Sequence, residues 1–160
     1  MTPVQTDVRP LTEPELRAWR GLLRTHAQLV KRLDADLEAE HGLALTSYEV
    51  LLHLQHSEER KMRMCDVAES VLLSRSGLTR LIDRLEREGL VERVSCPDDA
   101  RGAYARLTSE GQRKFRAAQG THLAGVRQLF LDHFGPDELD TMASAFERLS
   151  GVGTGVCGAY

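Results

Sequence analysis

Cysteine is scarce in this chain: Cys65, Cys96 and Cys157 are odd in number and show no C-x-x-C spacing. That argues against a disulfide framework and a zinc ribbon, and fits a reducing cytosol. Aromatics are scarce too, at 5% of 160 residues, so a core must come from aliphatic side chains, which the 41% hydrophobic content can supply. No uninterrupted apolar run approaches the ~18–20 residues of a membrane span. Met1 to Pro10 is polar with two prolines and no apolar centre, unlike a secretion signal. A soluble cytoplasmic protein without membrane contact is therefore expected. Enzyme signatures are missing as well. There is no Gly-rich phosphate loop, no Ser/His/Asp grouping and no acid pair in a recognisable frame, so neither catalysis nor a cofactor is expected.

A net charge of −3 taken alone argues against a nucleic-acid partner. Its distribution reverses that. From Arg60 to Arg116 there are thirteen Lys/Arg against nine Asp/Glu, while the remainder carries eight against fifteen. A basic module on an acidic body concentrates attraction for phosphate in one place.

The basic module contains the most informative stretch, Met64 to Arg106. It reads as a short helix, a turn, a second helix and a β-hairpin. Ser74 suits an N-cap, its hydroxyl accepting from an orphan N–H of the next turn. Leu78, Leu81, Ile82 and Leu85 then recur at helical spacing and form one apolar face. Ser76, Thr79, Arg80 and Asp83 fall on the opposite side. Small hydroxyls allow close approach to a major groove, and arginine reaches guanine edges or phosphates. Gly89 supplies a left-handed stop. Leu90–Val94 and Ala103–Leu107 read as strands around the polar loop Cys96–Gly102. A helix-turn-helix followed by a two-stranded ribbon with an arginine near its tip is a winged helix-turn-helix; the alternative is a small α+β unit with a charged surface.

The string LLSRSGLTRLIDRLEREGLVER, then Asp99-x-Arg101, then Arg106-Leu107-Thr108-x-x-Gly111, closely resembles the MarR family of transcriptional regulators. The resemblance runs from about Leu11 to Leu149. Ala100 stands where the family often has another arginine, which removes a possible phosphate contact from the wing. The resemblance implies a mainly α (α+β) fold: a winged helix-turn-helix with a helical dimerisation region formed by the N- and C-terminal helices. It also implies small phenolic or carboxylate effectors at the junction of the two.

The flanking sequence reads as helices. Thr12, Pro14 and Glu15 open a helix to about Glu40, ended by Gly42, with Leu16, Trp19, Leu22, Leu23, Leu29, Val30, Leu33 and Leu37 in its apolar stripe. Thr46 with Glu49 repeats the capping-box pattern for a helix from Ser47 to about His56, and Ser57–Lys61 reads as a polar connector. Val71-Leu72-Leu73 is expected to pack the turn between the two DNA-binding helices. Thr108 caps a helix to about His133, and Gly135-Pro136-Asp137-Glu138 opens a last one to about Leu149. Stripes at both chain ends cannot all be buried on so small a winged module, and pairing two chains would cover them. The expected organisation is an arm and dimerisation helix over 1–45, a DNA-binding domain over 46–107, dimerisation helices over 108–150 and a Gly-rich tail over 151–160.

Candidate site residues follow. Ser74, Arg75, Ser76, Thr79 and Arg80 are expected on DNA through the second helix, Arg75 toward phosphate. Arg101, with Asp99 to orient it, is expected to enter the minor groove from the wing. Arg84 and Arg87 are expected to pair with Asp83, Glu86 or Glu88. The functional expectation is a homodimeric repressor released from a palindromic operator in double-stranded DNA by a small aromatic effector. Trp19 and His26, one heptad apart in the first stripe, are candidates for holding that effector or for packing in the dimer interface. Three alternatives were open. Cys65, helped by Arg63, or Cys96 could sense oxidants; His53, His56 and Glu49 have ligand-like spacing; and a winged fold can serve as a protein–protein adaptor.

Overall fold

The computed structural model of the chain describes residues 9–96 and 99–150, with backbone alone at 96, 99–102 and 150. Helix α1 (Glu13–His41) starts with the expected cap: the Thr12 N–H donates to Glu15 Oε2 at 2.7 Å, which holds the Glu15 carboxyl below its ordinary pKa. It stops at Gly42, whose φ of +57° is left-handed and whose N–H returns to Glu38 O at 2.9 Å.

Helix α2 (Leu45–His56) departs from expectation at its start. It begins two residues earlier than the Thr46/Glu49 pattern indicates, and neither side chain caps it. Instead the Leu45 N–H donates to Asp34 Oδ1 of α1 at 2.8 Å. The cap comes from a neighbouring helix, eleven residues back, where a local pattern cannot find it.

The polar connector after α2 also holds more structure than its sequence suggests. It makes a tight 3-10 turn at Glu58–Arg60 and a three-residue strand β1 (Lys61–Arg63). Helices α3 (Met64–Ser70) and α4 (Arg75–Arg87) follow as expected. The wing strands, β2 (Val91–Cys96) and β3 (Asp99–Leu107), reach further toward the tip than the predicted loop allows. The sheet order is β1-β3-β2, all antiparallel, with Lys61 opposite Arg106, Arg93 opposite Ala105 and a register shift between Ser95 and Cys96. Helix α5 (Ser109–Leu129) ends earlier than predicted and passes through a 3-10 turn at Leu131–His133 into α6 (Pro136–Ser150).

The core lies where α2, α3, α4, the sheet and the first half of α5 meet. Val50, Leu51, Leu54, Val67, Leu78, Ile82, Leu85, Val91, Ala105 and Phe115 are buried there, joined from α1 by Leu37. Leu33 packs against it as well, while the N-terminal part of α1 stands clear: Trp19, Leu22, Leu23 and Val30 are exposed, as are Leu123 of α5 and Phe146 and Leu149 of α6. No helix among the described residues is long and apolar enough to cross a membrane.

One expectation about the core fails outright. Val71 is buried in the turn between α3 and α4, but Leu72 is 85% exposed at φ +54°. The turn requires one left-handed residue, and that backbone swings the leucine outward instead of into the core.

Candidate nucleic-acid interface

Helix α4 is built as its sequence demands. Ser74 takes an extended conformation (φ −64°, ψ 156°) and its Oγ accepts from the Gly77 N–H at 3.1 Å. At the other end Gly89 is left-handed at φ +72°, and the Leu90 N–H returns to Leu85 O at 2.9 Å. Leu78, Leu81, Ile82 and Leu85 are buried, so the core fixes the rotation of the helix about its axis. The face opposite is set by that rotation. It carries Ser76, Thr79 and Arg80, with Ser74 and Arg75 beside them at the start of the helix, all five exposed.

Their bonding leaves them available to a ligand. The Thr79 hydroxyl donates back to Arg75 O at 2.9 Å, so its proton is engaged while its methyl and lone pairs face outward. Ser76 Oγ lies 3.2 Å from Ser74 Oγ. Among the described residues neither Arg75 nor Arg80 has an ion-pair partner.

Arginines nearer the end of α4 are occupied, though not by the expected partners. Arg84 Nη2 donates to the buried Ser47 Oγ of α2 at 2.8 Å, and Arg87 Nε to the backbone O of Asp83 at 3.2 Å. Two of the three acids expected to pair with them are taken by Arg93 of β2, which reaches Asp83 Oδ1 and Glu86 Oε2 at 2.5 Å each. Sequence reasoning passed over Arg93. The signal was available: Val91 is buried, and alternation puts Arg93 on the same inward face, where a charge needs partners.

The end of the wing is tied back by Thr108 and Gly111. Thr108 Oγ1 lies 2.7 Å from Gly89 O and 3.0 Å from Leu90 O, and accepts from the Gly111 N–H at 3.0 Å. Gly111 packs so closely on Leu90 that a Cβ there would meet its carbonyl oxygen at 2.0 Å. The Thr108-x-x-Gly111 spacing thus joins the end of α4, the wing and α5 at one point. On the outer sheet face Arg106 Nε pairs with Glu92 Oε1 at 2.8 Å, and the Arg63 guanidinium lies 5.7 Å over the Tyr104 ring. The side chains of Asp99 and Arg101, and that of Cys96, lie outside the described residues, as do residues 151–160 with Cys157.

Other candidates are placed as follows. Trp19 and His26 are both exposed on α1 in the single chain. Cys65 is exposed, with Sγ 3.4 Å from Asp66 Oδ1, while Arg63 is turned to Tyr104. His56 Nδ1 is 2.9 Å from Leu52 O. Burial holds the His53 imidazole below its ordinary pKa, with His56 adding to it, and raises the Glu49 carboxyl. Among the described residues no three potential metal ligands converge. A group the sequence did not single out is His122 of α5. It is 5% exposed, its ring is 4.5 Å from that of Tyr48, and both nitrogens are buried without a hydrogen-bond partner among the described residues.

Comparison with known proteins agrees with this geometry. A family model described as the MarR family matches residues 41–102. AbsC, a MarR family transcriptional regulator from Streptomyces coelicolor, is 36% identical with a TM-score of 0.85, covering 90% of this chain and 97% of its own. Sco3205 from the same organism, a MarR family regulator solved in complex with DNA, is 31% identical with a TM-score of 0.87, covering 96% and 97%. The homoprotocatechuate degradative operon repressor of Escherichia coli is 30% identical over 119 residues, 74% of each chain. Agreement with these relatives over most of their length, on a winged helix-turn-helix whose second helix exposes arginines and hydroxyls, places this chain in the MarR family of transcriptional regulators.

Proposed function

We propose that the chain acts in the cytoplasm as a homodimeric repressor, laying two copies of α4 into successive major grooves of a pseudo-palindromic operator. Ser74, Ser76, Thr79 and Arg80 meet base edges and phosphates, Arg75 the backbone, and Arg101, oriented by Asp99, the minor groove. A two-fold dimer reads half-sites about one helical turn, ~34–36 Å, apart. The observation that carries this reading is the contrast along α4. Arg75 and Arg80 are exposed and unpaired among the described residues, whereas Arg84 and Arg87 are spent on protein partners. Free cations beside small hydroxyls are what a phosphate-lined groove requires.

The apolar side chains left exposed on α1, α5 and α6 support dimerisation, because a second copy would cover them. Division into an N-terminal dimerisation helix (1–45), a DNA-binding domain (46–107), C-terminal dimerisation helices (108–150) and a tail (151–160) follows. Repression fits the name of the E. coli relative, an operon repressor. Release comes when a small aromatic ligand, held near Trp19 and His26, favours a dimer shape that misfits the half-site spacing.

Fluorescence anisotropy with the chain's own upstream duplex, across a salt series, tests the reading. Tight binding with a steep salt slope is expected. Arg80→Ala should weaken binding and lower the slope by about one. A chain that sediments as a monomer, or ignores duplex at low salt, refutes it.

A further inference from the structure

We infer that Arg93 is a positioning residue for DNA binding: it clamps the wing to the recognition helix and so fixes the angle at which the two enter adjacent grooves. The inference rests on the proposed DNA-binding function and adds a residue to it. Arg93 sits on β2, opposite the fully buried Ala105 in the ladder with β3, so its side chain leaves the inner face of the sheet toward α4. Its Nη2 bonds Asp83 Oδ1 and its Nη1 bonds Glu86 Oε2, both at 2.5 Å. Its own backbone N–H donates to Glu86 Oε1 at 3.0 Å, and Nη2 lies 3.5 Å from Thr79 O. Four contacts therefore join one strand residue to three successive positions along a single side of the helix.

A planar guanidinium gripping two carboxylates fixes an angle as well as a distance, which a point charge cannot. The other clasp, Thr108 on Gly89 and Leu90, holds the base of the wing. Without Arg93 the sheet can rock about that base, and motion there is largest at the tip. Because both fork nitrogens are engaged by the protein, Arg93 works through Asp83 and Glu86 and not through phosphate.

This makes an unusual sign prediction. Asp83 and Glu86 lie on the helix that approaches a polyanion, so on charge alone the variant Asp83→Asn/Glu86→Gln should bind DNA more tightly. As clamp partners, their loss should weaken binding. Affinity for operator duplex is measured by anisotropy at 10 °C, with folding of each protein checked by circular dichroism. We expect roughly tenfold weaker binding for Arg93→Ala, a several-fold loss for Asp83→Asn/Glu86→Gln, and less than twofold further loss when the two are combined. Arg93→Lys should recover less than half of the loss on a logarithmic scale.

Unchanged affinity in folded Arg93→Ala, even with a lower melting temperature, reduces the clamp to a stabilising contact and overturns the inference. So does full rescue by lysine, tighter binding by the Asp83/Glu86 variant, or an undiminished tenfold loss when Arg93→Ala is added to it. The Asp83/Glu86 variant, which alters exposed side chains, keeps the test open if Arg93→Ala does not fold. A wild-type chain that binds no duplex defeats the proposed function and this inference together, whereas failure of the variants beside a binding wild type defeats the clamp alone.

Discussion

Replacing Gly111 with alanine sets two effects of opposite sign against each other. Helix propensity favours the change by up to ~1 kcal/mol. Geometry opposes it: the new Cβ would stand 2.0 Å from Leu90 O and 2.7 Å from Leu107 Cδ1. A carbon normally keeps about 3.3 Å from a carbonyl oxygen, so α5 and the Leu90 backbone must part by more than ~1 Å. Leu90 O also accepts the Thr108 N–H at 3.2 Å and lies 3.0 Å from Thr108 Oγ1, so parting them strains about two hydrogen bonds, at ~1 kcal/mol each. Overpacking adds ~1–3 kcal/mol. Sterics win, and the net loss is about 2–4 kcal/mol. For a chain of this size that lowers Tm by roughly 5–15 °C. Gly120, on the same helix, has nothing within 4 Å of an added Cβ. Gly120→Ala should therefore raise Tm by about 2 °C. Calorimetric melts of both variants at matched concentration decide the matter. Shifts of the same sign, or a Gly111→Ala protein as stable as wild type, refute the close approach.

Leu72→Asn should stabilise the fold by about 0.5–1 kcal/mol in denaturant melts, since asparagine tolerates the left-handed backbone and an 85% exposed leucine buries little; a lower midpoint contradicts this. Burial holds the His122 imidazole below its ordinary pKa, so as pH falls through ~6.5 the unfolded chain takes a proton that the folded chain refuses. Stability is complete above that pH and declines below it. His122→Phe should be at least as stable at pH 8 and lose less toward pH 5, with part of the slope retained by His53, which shifts the same way; parallel curves would exclude His122 as the source. Arg101→Ala should weaken operator binding and lower the salt slope by about one, and an unchanged slope takes the wing tip out of the interface.

Much of this molecule could be read locally. The Ser74 cap, the Leu78–Leu85 stripe and the Gly89 stop involve residues within a few positions of one another, so the recognition helix emerges with its outward face already assigned. Trouble began wherever a partner lay across the fold. Strand β1 is three residues long, too short for any alternation, and exists because β3 pairs with it. The start of α2 depends on Asp34, on another helix. Arg93 passed for one more surface charge until its register opposite Ala105 turned it inward. Leu72 misled for the opposite reason: hydrophobicity indicated burial, while the turn dictated its backbone. His122 falls on the buried stripe of α5 with Phe115, Ala118 and Gly125, but histidine and glycine hide that stripe from hydrophobicity, and Tyr48 packs over the ring.

The capping of α2 by Asp34 has a consequence for how occupancy of the N-terminal helix could be felt at DNA. Leu45, which receives that cap, is two residues from Ser47, and Ser47 holds Arg84 of the recognition helix. Rolling α1 enough to withdraw the Asp34 carboxylate uncaps α2, at about 1 kcal/mol, and disturbs the residue on which α4 leans. Whatever settles on the exposed length of α1 thus sits two contacts from the reading head.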